Sequence, residues 1–71
     1  MEYHRTKNTL WYLKSNNQHC LVISYEDEID NSGNLTLLEY KVLWELEPIS
    51  REQFEKRAVE VMKKLNKFIA S

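Results

Sequence analysis

The spacing of hydrophobic and polar residues changes near residue 48. After this point apolar residues recur every three or four positions, with charged residues between them. This period predicts an amphipathic helix over residues 51–69. Ser50 and Gln53 have the spacing of a capping box at the start of that helix. The predicted apolar stripe consists of Phe54, Ala58, Val61, Met62, Leu65, Phe68 and Ile69.

Before residue 48 the apolar positions tend to alternate with polar ones, which is typical of β-strands. The alternation predicts three strands at about residues 9–15, 19–30 and 35–47, with residues 1–8 irregular. The fold expected is therefore a single α+β domain over residues 1–71. It would be a three-stranded antiparallel meander with one C-terminal amphipathic helix packed on one face.

The NSGN sequence at residues 31–34 indicates a tight turn between the second and third predicted strands. A two-residue turn at Ser32 and Gly33 would place Leu21 opposite Trp44. A three-residue loop with a bulge at Gly33 would shift this register by one residue and mix the two faces. We favour the two-residue turn, because it places the larger apolar residues on the face that the helix can cover.

The opposite sheet face would carry apolar residues with no second helix to cover them, among them Cys20, Val22 and Leu43. Uncovered apolar surfaces often mark interfaces. A domain this small also buries only about 60% of its unfolded surface, so that it gains from a partner. The pattern therefore predicts self-association or docking through this face.

Charge is distributed unevenly, although the net charge is only −1. Residues 15–50 contain seven acidic residues and one basic residue, whereas residues 51–71 contain six basic and three acidic residues. Four of the acids lie in the YEDEID run at residues 25–30. This run is either an acidic lobe for a basic partner surface or the solvated end of a hairpin, whose charges discourage edge pairing.

A calcium loop of the EF-hand kind does not fit the acidic run. Counting from Glu26, the sixth residue is Asn31 and the twelfth is Leu37, where the motif requires Gly and Glu. A structural zinc site takes four Cys or His ligands, and the chain has one Cys and two His. We therefore expect no metal and no cofactor.

Catalytic motifs are also missing from the sequence. No GxSxG nucleophile turn occurs, and the single glycine rules out a glycine-rich phosphate loop. We therefore expect a protein that is not an enzyme. No motif assigns the chain to a known family.

These observations favour a non-catalytic protein-binding module that acts as a small regulatory, inhibitory or accessory protein. Its partner would be a protein, for example one with a basic surface, and a homo-oligomer is expected as well. The predicted contact residues are Val22, Glu26, Glu28, Glu39, Leu43 and Glu45.

The alternative is a nucleic-acid-binding module that uses the basic side of the C-terminal helix. Its contact residues would be Lys56, Lys63, Lys64 and Lys67, which phosphates could neutralise. Acidic residues interrupt this array, which makes nucleic acid the less favoured partner. The lone Cys20 and the lack of a long apolar stretch near the start predict a cytoplasmic protein without membrane association.

Overall fold

A computed structural model of the chain describes residues 1–16, 19–33 and 35–70, with the side chains of the last helix described as far as Lys64. An antiparallel sheet in the order β4-β3-β2-β1-β5 carries two helices in this part of the chain, which confirms the predicted α+β class. The elements are β1 (Glu2–Thr6), β2 (Tyr12–Asn16), β3 (His19–Ile23), β4 (Ile29–Asp30), α1 (Leu37–Leu43), β5 (Leu46–Pro48) and α2 (Arg51–Ala70).

The first three strands form a meander in which His4 lies opposite Leu13, and Leu13 lies opposite Val22. The short strands β4 and β5 pair at opposite edges of this meander. The chain between them must therefore cross one face of the sheet. Helix α1 lies on that crossing and packs on this face of the sheet.

The core on the α1 side joins the sheet to the helix. Leu13, Cys20 and Val22 form a buried cluster with Leu37 and Tyr40 of α1. The sequence predicted a bare apolar face here, with Cys20 and Val22 on it. That expectation is wrong, because α1 covers the face.

The core on the other side is formed by α2. Phe54 and Val61 of α2 form a buried cluster with Ile23 of β3, and Tyr3 packs against this cluster. The predicted capping box is present: the Ser50 backbone N–H donates to the Gln53 side chain at 2.9 Å, and the Gln53 N–H donates to Ser50 Oγ at 3.1 Å. Helix α2 therefore matches its predicted bounds to within one residue.

The stripe positions Leu65, Phe68 and Ile69 lie outside the described side chains. Over the described ranges, neither helix is both long and apolar enough to cross a membrane.

The predicted third strand over residues 35–47 is wrong, since most of it forms α1. Thr36 begins the helix with a capping box: its Oγ1 accepts the Glu39 N–H at 3.3 Å, and the Glu39 carboxylate accepts the Thr36 N–H at 3.2 Å. In the helix Leu37 and Tyr40 are buried, whereas Leu38 is 73% exposed. Only the short β5 of this segment is a strand.

The predicted hairpin register is wrong for the same reason. Leu21 lies opposite Lys14 of β2 and not opposite Trp44. Ser32 and Gly33, where the sequence predicted a tight turn, have no regular secondary structure and precede α1 and not a strand. The predicted strand over residues 19–30 is interrupted by a turn after β3 and resumes as β4.

The prediction that the first eight residues are irregular is wrong, because they contain β1, which pairs with β2 on one side and β5 on the other. Its two buried side chains are the polar His4 and Thr6, which hid the alternation typical of a strand. The loop residues Asn17 and Gln18, between the first two predicted strands, lie outside the described residues.

Candidate functional site

A cleft of about 320 Å³ opens where α1 meets the β3–β4 edge of the sheet. Four aromatic side chains line it. Trp11 and Trp44 stack with ring centroids 5.0 Å apart and an interplanar angle of 22°. Tyr40 lies 5.0 Å from Trp44, and Tyr25 meets Trp11 edge-on at 6.0 Å and 87°. The rings therefore present aromatic walls in two nearly perpendicular directions.

The loop between β1 and β2 fixes Trp11. Thr6 Oγ1 accepts a hydrogen bond from the backbone N–H of Trp11 at 3.0 Å. The backbone N–H of Thr6 donates to the Trp11 carbonyl at 2.9 Å. Thr6 Oγ1 also donates to Asn8 Oδ1 at 2.6 Å. Within this loop Thr9 has φ 62°, a conformation that costs a non-glycine residue on the order of 1–3 kcal/mol. Such strain persists only where surrounding contacts enforce it, so the loop holds Trp11 in place.

The acidic run forms the turn between β3 and β4, and buried Ser24 organises it. Ser24 Oγ accepts the backbone N–H groups of Glu26 and Glu28, each at 3.2 Å. The Ser24 N–H in turn donates to the Glu28 carbonyl at 2.9 Å. Asp27, between the two glutamates, has φ 63°. This turn places Glu26 and Glu28 at the cleft.

Asp27 points away from the cleft and ties the turn to α2. Arg57 Nη2 donates to Asp27 Oδ1 and to the Ser24 carbonyl, both at 2.8 Å. Lys64 Nζ donates to Asp27 Oδ2 at 2.7 Å. These contacts, with Lys64 first and then Arg57, lower the pKa of Asp27 below its ordinary value. The acidic run is therefore divided, because Asp27 is paired while Glu26 and Glu28 form no ion pair among the described residues.

The cleft combines neutral aromatic walls with a negative rim. Glu26, Glu28 and Asp30 supply the rim. The backbone N–H of Ser32 donates to Asp30 Oδ1 at 2.9 Å, and this hydrogen bond helps to lower the pKa of Asp30. Hydrogen bonding to Glu26 raises the pKa of Tyr25.

Burial, followed by the charge of Asp30, raises the pKa of Tyr40. Both phenols that line the cleft are therefore neutral at neutral pH. Aromatic faces beside carboxylates attract cations. We call this site the aromatic–acidic cleft.

The structure brings together three of the six predicted contact residues, since Val22, Glu26 and Glu28 all line the aromatic–acidic cleft. Val22 is only 3% exposed and forms part of the core, so it does not lie on an open surface. Leu43 and Glu45 line two neighbouring cavities. Glu39 is exposed on α1, where it completes the capping box. The six residues therefore do not share one sheet face.

The aromatic residues of the cleft were not among the contact residues that the sequence predicted. The available signal was the Thr36-x-x-Glu39 capping spacing, which predicts a helix start. A helix from this point places Tyr40 and Trp44 four residues apart on one side.

The structure describes the side chains of three of the four lysines in the alternative prediction. Lys56 and Lys63 are exposed on α2, whereas Lys64 is paired with Asp27. The side chain of Lys67 lies outside the described residues. The nearby Arg57 also pairs with Glu60 at 3.4 Å, which reduces the positive charge of this surface.

Metal-binding and thiol chemistry receive no support from side-chain placement. No three His, Cys, Asp or Glu side chains gather into a metal-binding set within the described ranges. Cys20 is 2% exposed, and burial raises the pKa of its thiol. A buried thiol with a raised pKa is a poor nucleophile.

Comparison of the chain with protein-family models, with curated proteins and with solved structures finds no match in any of the three. The functional proposals therefore rest on the geometry and chemistry of the chain itself.

Proposed function

We propose that the protein is a non-catalytic binding module that takes a lysine or arginine side chain of a partner protein into the aromatic–acidic cleft. The observation that carries the proposal is the convergence of four aromatic rings and three carboxylates on one cavity. By covering a basic site on its partner, the module would act as a small regulatory, inhibitory or accessory protein.

The size of the cleft suits one side chain of a partner. Ligand pockets span about 300–1,000 Å³, and this cleft lies near the lower limit at about 320 Å³. A lysine or arginine places its apolar stem against the rings while its charged end reaches the rim. The planar guanidinium of arginine can also stack on an aromatic face.

Two kinds of interaction would stabilise the bound cation. A cation over an aromatic face contributes about 0.5–1 kcal/mol when exposed and about 2 kcal/mol when desolvated. Each ion pair with the exposed carboxylates of Glu26 or Glu28 adds about 0.2–1 kcal/mol. The rim charges would also raise the association rate with a basic surface, and salt would reduce that effect.

The cleft is also held in shape before a ligand arrives. Thr6 fixes the loop that carries Trp11, and Ser24 with Arg57 fixes the turn that carries Glu26 and Glu28. Binding therefore requires little ordering of the protein, which lowers its entropic cost.

A titration followed by NMR tests the proposal. Two short peptides differ at one position, lysine in one and norleucine in the other, so that only the ammonium charge is removed. We expect the lysine peptide to shift the indole N–H resonances of Trp11 and Trp44 in a saturable and salt-sensitive way. Equal shifts with both peptides, or none with either, would contradict a cation site.

A pair of charge variants locates the contact. Glu26→Gln with Glu28→Gln removes two rim charges, and we expect the affinity for the lysine peptide to fall about twofold to thirtyfold. Glu2→Gln with Glu52→Gln makes the same change in net charge away from the cleft and should leave the affinity nearly unchanged. Equal losses in both double variants would show a general charge effect and not a site.

The same spectra address the alternative partner. Nucleic-acid binding would be favoured if an oligonucleotide shifted resonances around Lys56 and Lys63 and the lysine peptide did not shift the indole resonances. The affinity would then fall linearly with salt on logarithmic axes.

Self-association belongs to the same proposal, but through a different surface from the sheet face. Helix α1 exposes apolar side chains on its outer side: Leu38 is 73% and Val42 82% exposed. Sedimentation equilibrium tests this surface. If the wild-type protein has the mass of a dimer and the Val42→Lys variant has the mass of a monomer, self-association through α1 is supported. If the wild-type protein has the mass of a monomer, the self-association proposal is overturned.

A further inference from the structure

Two further cavities, of about 300 Å³ and 620 Å³, adjoin the aromatic–acidic cleft around Trp44. The first shares Trp11 and Trp44 with the cleft. The second shares Lys7, Leu43, Trp44 and Glu45 with the first. The three cavities therefore lie side by side around Trp44, and we call them together the Trp44 groove.

The two ends of the Trp44 groove carry opposite charge. Three carboxylates border the cleft at one end. Lys7 and Lys41 border the other end, where Glu45 is the one acidic residue among the described lining. Both lysines are exposed, and neither forms an ion pair among the described residues.

The lysine end also has an apolar lining. Val42, Leu43 and Leu46 border this cavity together with Trp44. His4 also lines it, and burial followed by the charge of Lys41 lowers the pKa of its imidazole. The positive charge of this end therefore comes from the two lysines.

We infer that the Trp44 groove binds an extended segment of a partner protein that is bipolar, with a basic side chain at one end and an acidic side chain at the other. Residues between the two charges would place apolar side chains against Trp44 and Leu43. This inference rests on the proposed function and specifies its ligand further. Charge complementarity at both ends is the reason for choosing a bipolar segment over a purely basic one.

An extended segment suits the groove because its side chains alternate. Successive residues rise about 3.3 Å, and every second side chain points to the same face. A probe with Lys, Leu and Glu at alternate positions therefore presents all three side chains to the groove. A second probe with these residues in the reverse order tests the opposite chain direction in the groove.

The experiment compares this bipolar peptide with a peptide in which glutamine replaces the glutamate, in both chain directions. We expect the bipolar peptide to bind about twofold to fivefold more tightly than its glutamine partner in one direction. The double variant Lys7→Gln with Lys41→Gln should remove this advantage and leave the affinity for the glutamine peptide unchanged. Lys56→Gln with Lys63→Gln on α2 is the matched control and should keep the advantage.

The outcomes separate the inference from the proposed function. If the bipolar and glutamine peptides bind the wild-type protein equally while both shift the indole resonances, the inference is overturned and the cation site stands. If neither peptide shifts those resonances, both are overturned. An advantage that persists in the Lys7 and Lys41 double variant would also overturn the inference, because the acidic side chain would then bind elsewhere.

Discussion

Replacing Leu37 by alanine should destabilise the protein far more than the same replacement at Leu38. The two leucines are neighbours in α1, but Leu37 is 7% exposed and Leu38 is 73% exposed. An alternating strand at residues 35–47 would instead bury Leu38 together with Tyr40. The pair therefore distinguishes the helix from the strand by a single matched substitution.

The expected magnitudes follow from the burial of each leucine. The change removes three carbon groups, each worth about 0.8 kcal/mol when buried. For Leu37 this gives about 2.2 kcal/mol, and the cavity left behind raises it towards about 3 kcal/mol. For Leu38 the same scaling gives about 0.6 kcal/mol, which the better helix propensity of alanine partly offsets. A domain of this length has a stability of about 4–10 kcal/mol, so we expect both variants to fold.

Urea unfolding, followed by circular dichroism and by tryptophan fluorescence, measures the difference. We expect the midpoint of the Leu37→Ala variant to fall clearly below that of Leu38→Ala, with similar slopes. Equal midpoints or the reverse order would refute the helical placement of residues 37–43. The aromatic–acidic cleft would then lose its basis, because α1 carries Tyr40 and leads directly into Trp44.

Three further substitutions test local features by urea unfolding. Thr36→Ala should cost about 1 kcal/mol by removing the capping box, and Thr36→Ser should retain most of that stability; equal losses would contradict the cap. The pKa of His4 is lowered in the folded protein, so on acidification the unfolded chain takes up a proton first and the free energy of unfolding should fall below about pH 6.5. His4→Gln should reduce this dependence of stability on pH. An unchanged dependence would assign it to other groups. Gly33→Ala should cost about 1 kcal/mol or more, because Gly33 has φ 68° and a Cβ there would lie 2.6 Å from the His19 ring; a neutral effect would contradict that geometry.

Helix α2 could be predicted because every local signal agrees. The apolar period, the Ser50–Gln53 capping box and the early acids with late lysines all indicate the same start and direction. Its packing against the sheet through Phe54 and Val61 follows from the same stripe.

Helix α1 was missed because its segment fits two periods. In TLLEYKVL the apolar residues satisfy both a strand alternation and a helical spacing of Leu37 with Tyr40. The capping spacing of Thr36 and Glu39 would have favoured the helix. A strand would place Leu38 and Val42 on the same face as Tyr40, whereas the helix exposes both of them.

The cleft itself could not be read from local patterns, because its residues come from distant parts of the chain. Trp11 and Tyr40 meet only because the chain crosses from one sheet edge to the other through α1. The separation of Asp27 from Glu26 and Glu28 likewise depends on a distant residue, because Asp27, at φ 63° in the turn, pairs with Arg57 of α2.

The most direct test of the central claim is a set of intermolecular nuclear Overhauser effects between the bound lysine peptide and the protein. We predict contacts from the ε-methylene protons of the lysine to the indole protons of Trp44 and the ring protons of Tyr25. Ring currents should also shift that methylene resonance. At saturating peptide, contacts confined to α2, or none to the rings of the aromatic–acidic cleft, would contradict the proposed cation site.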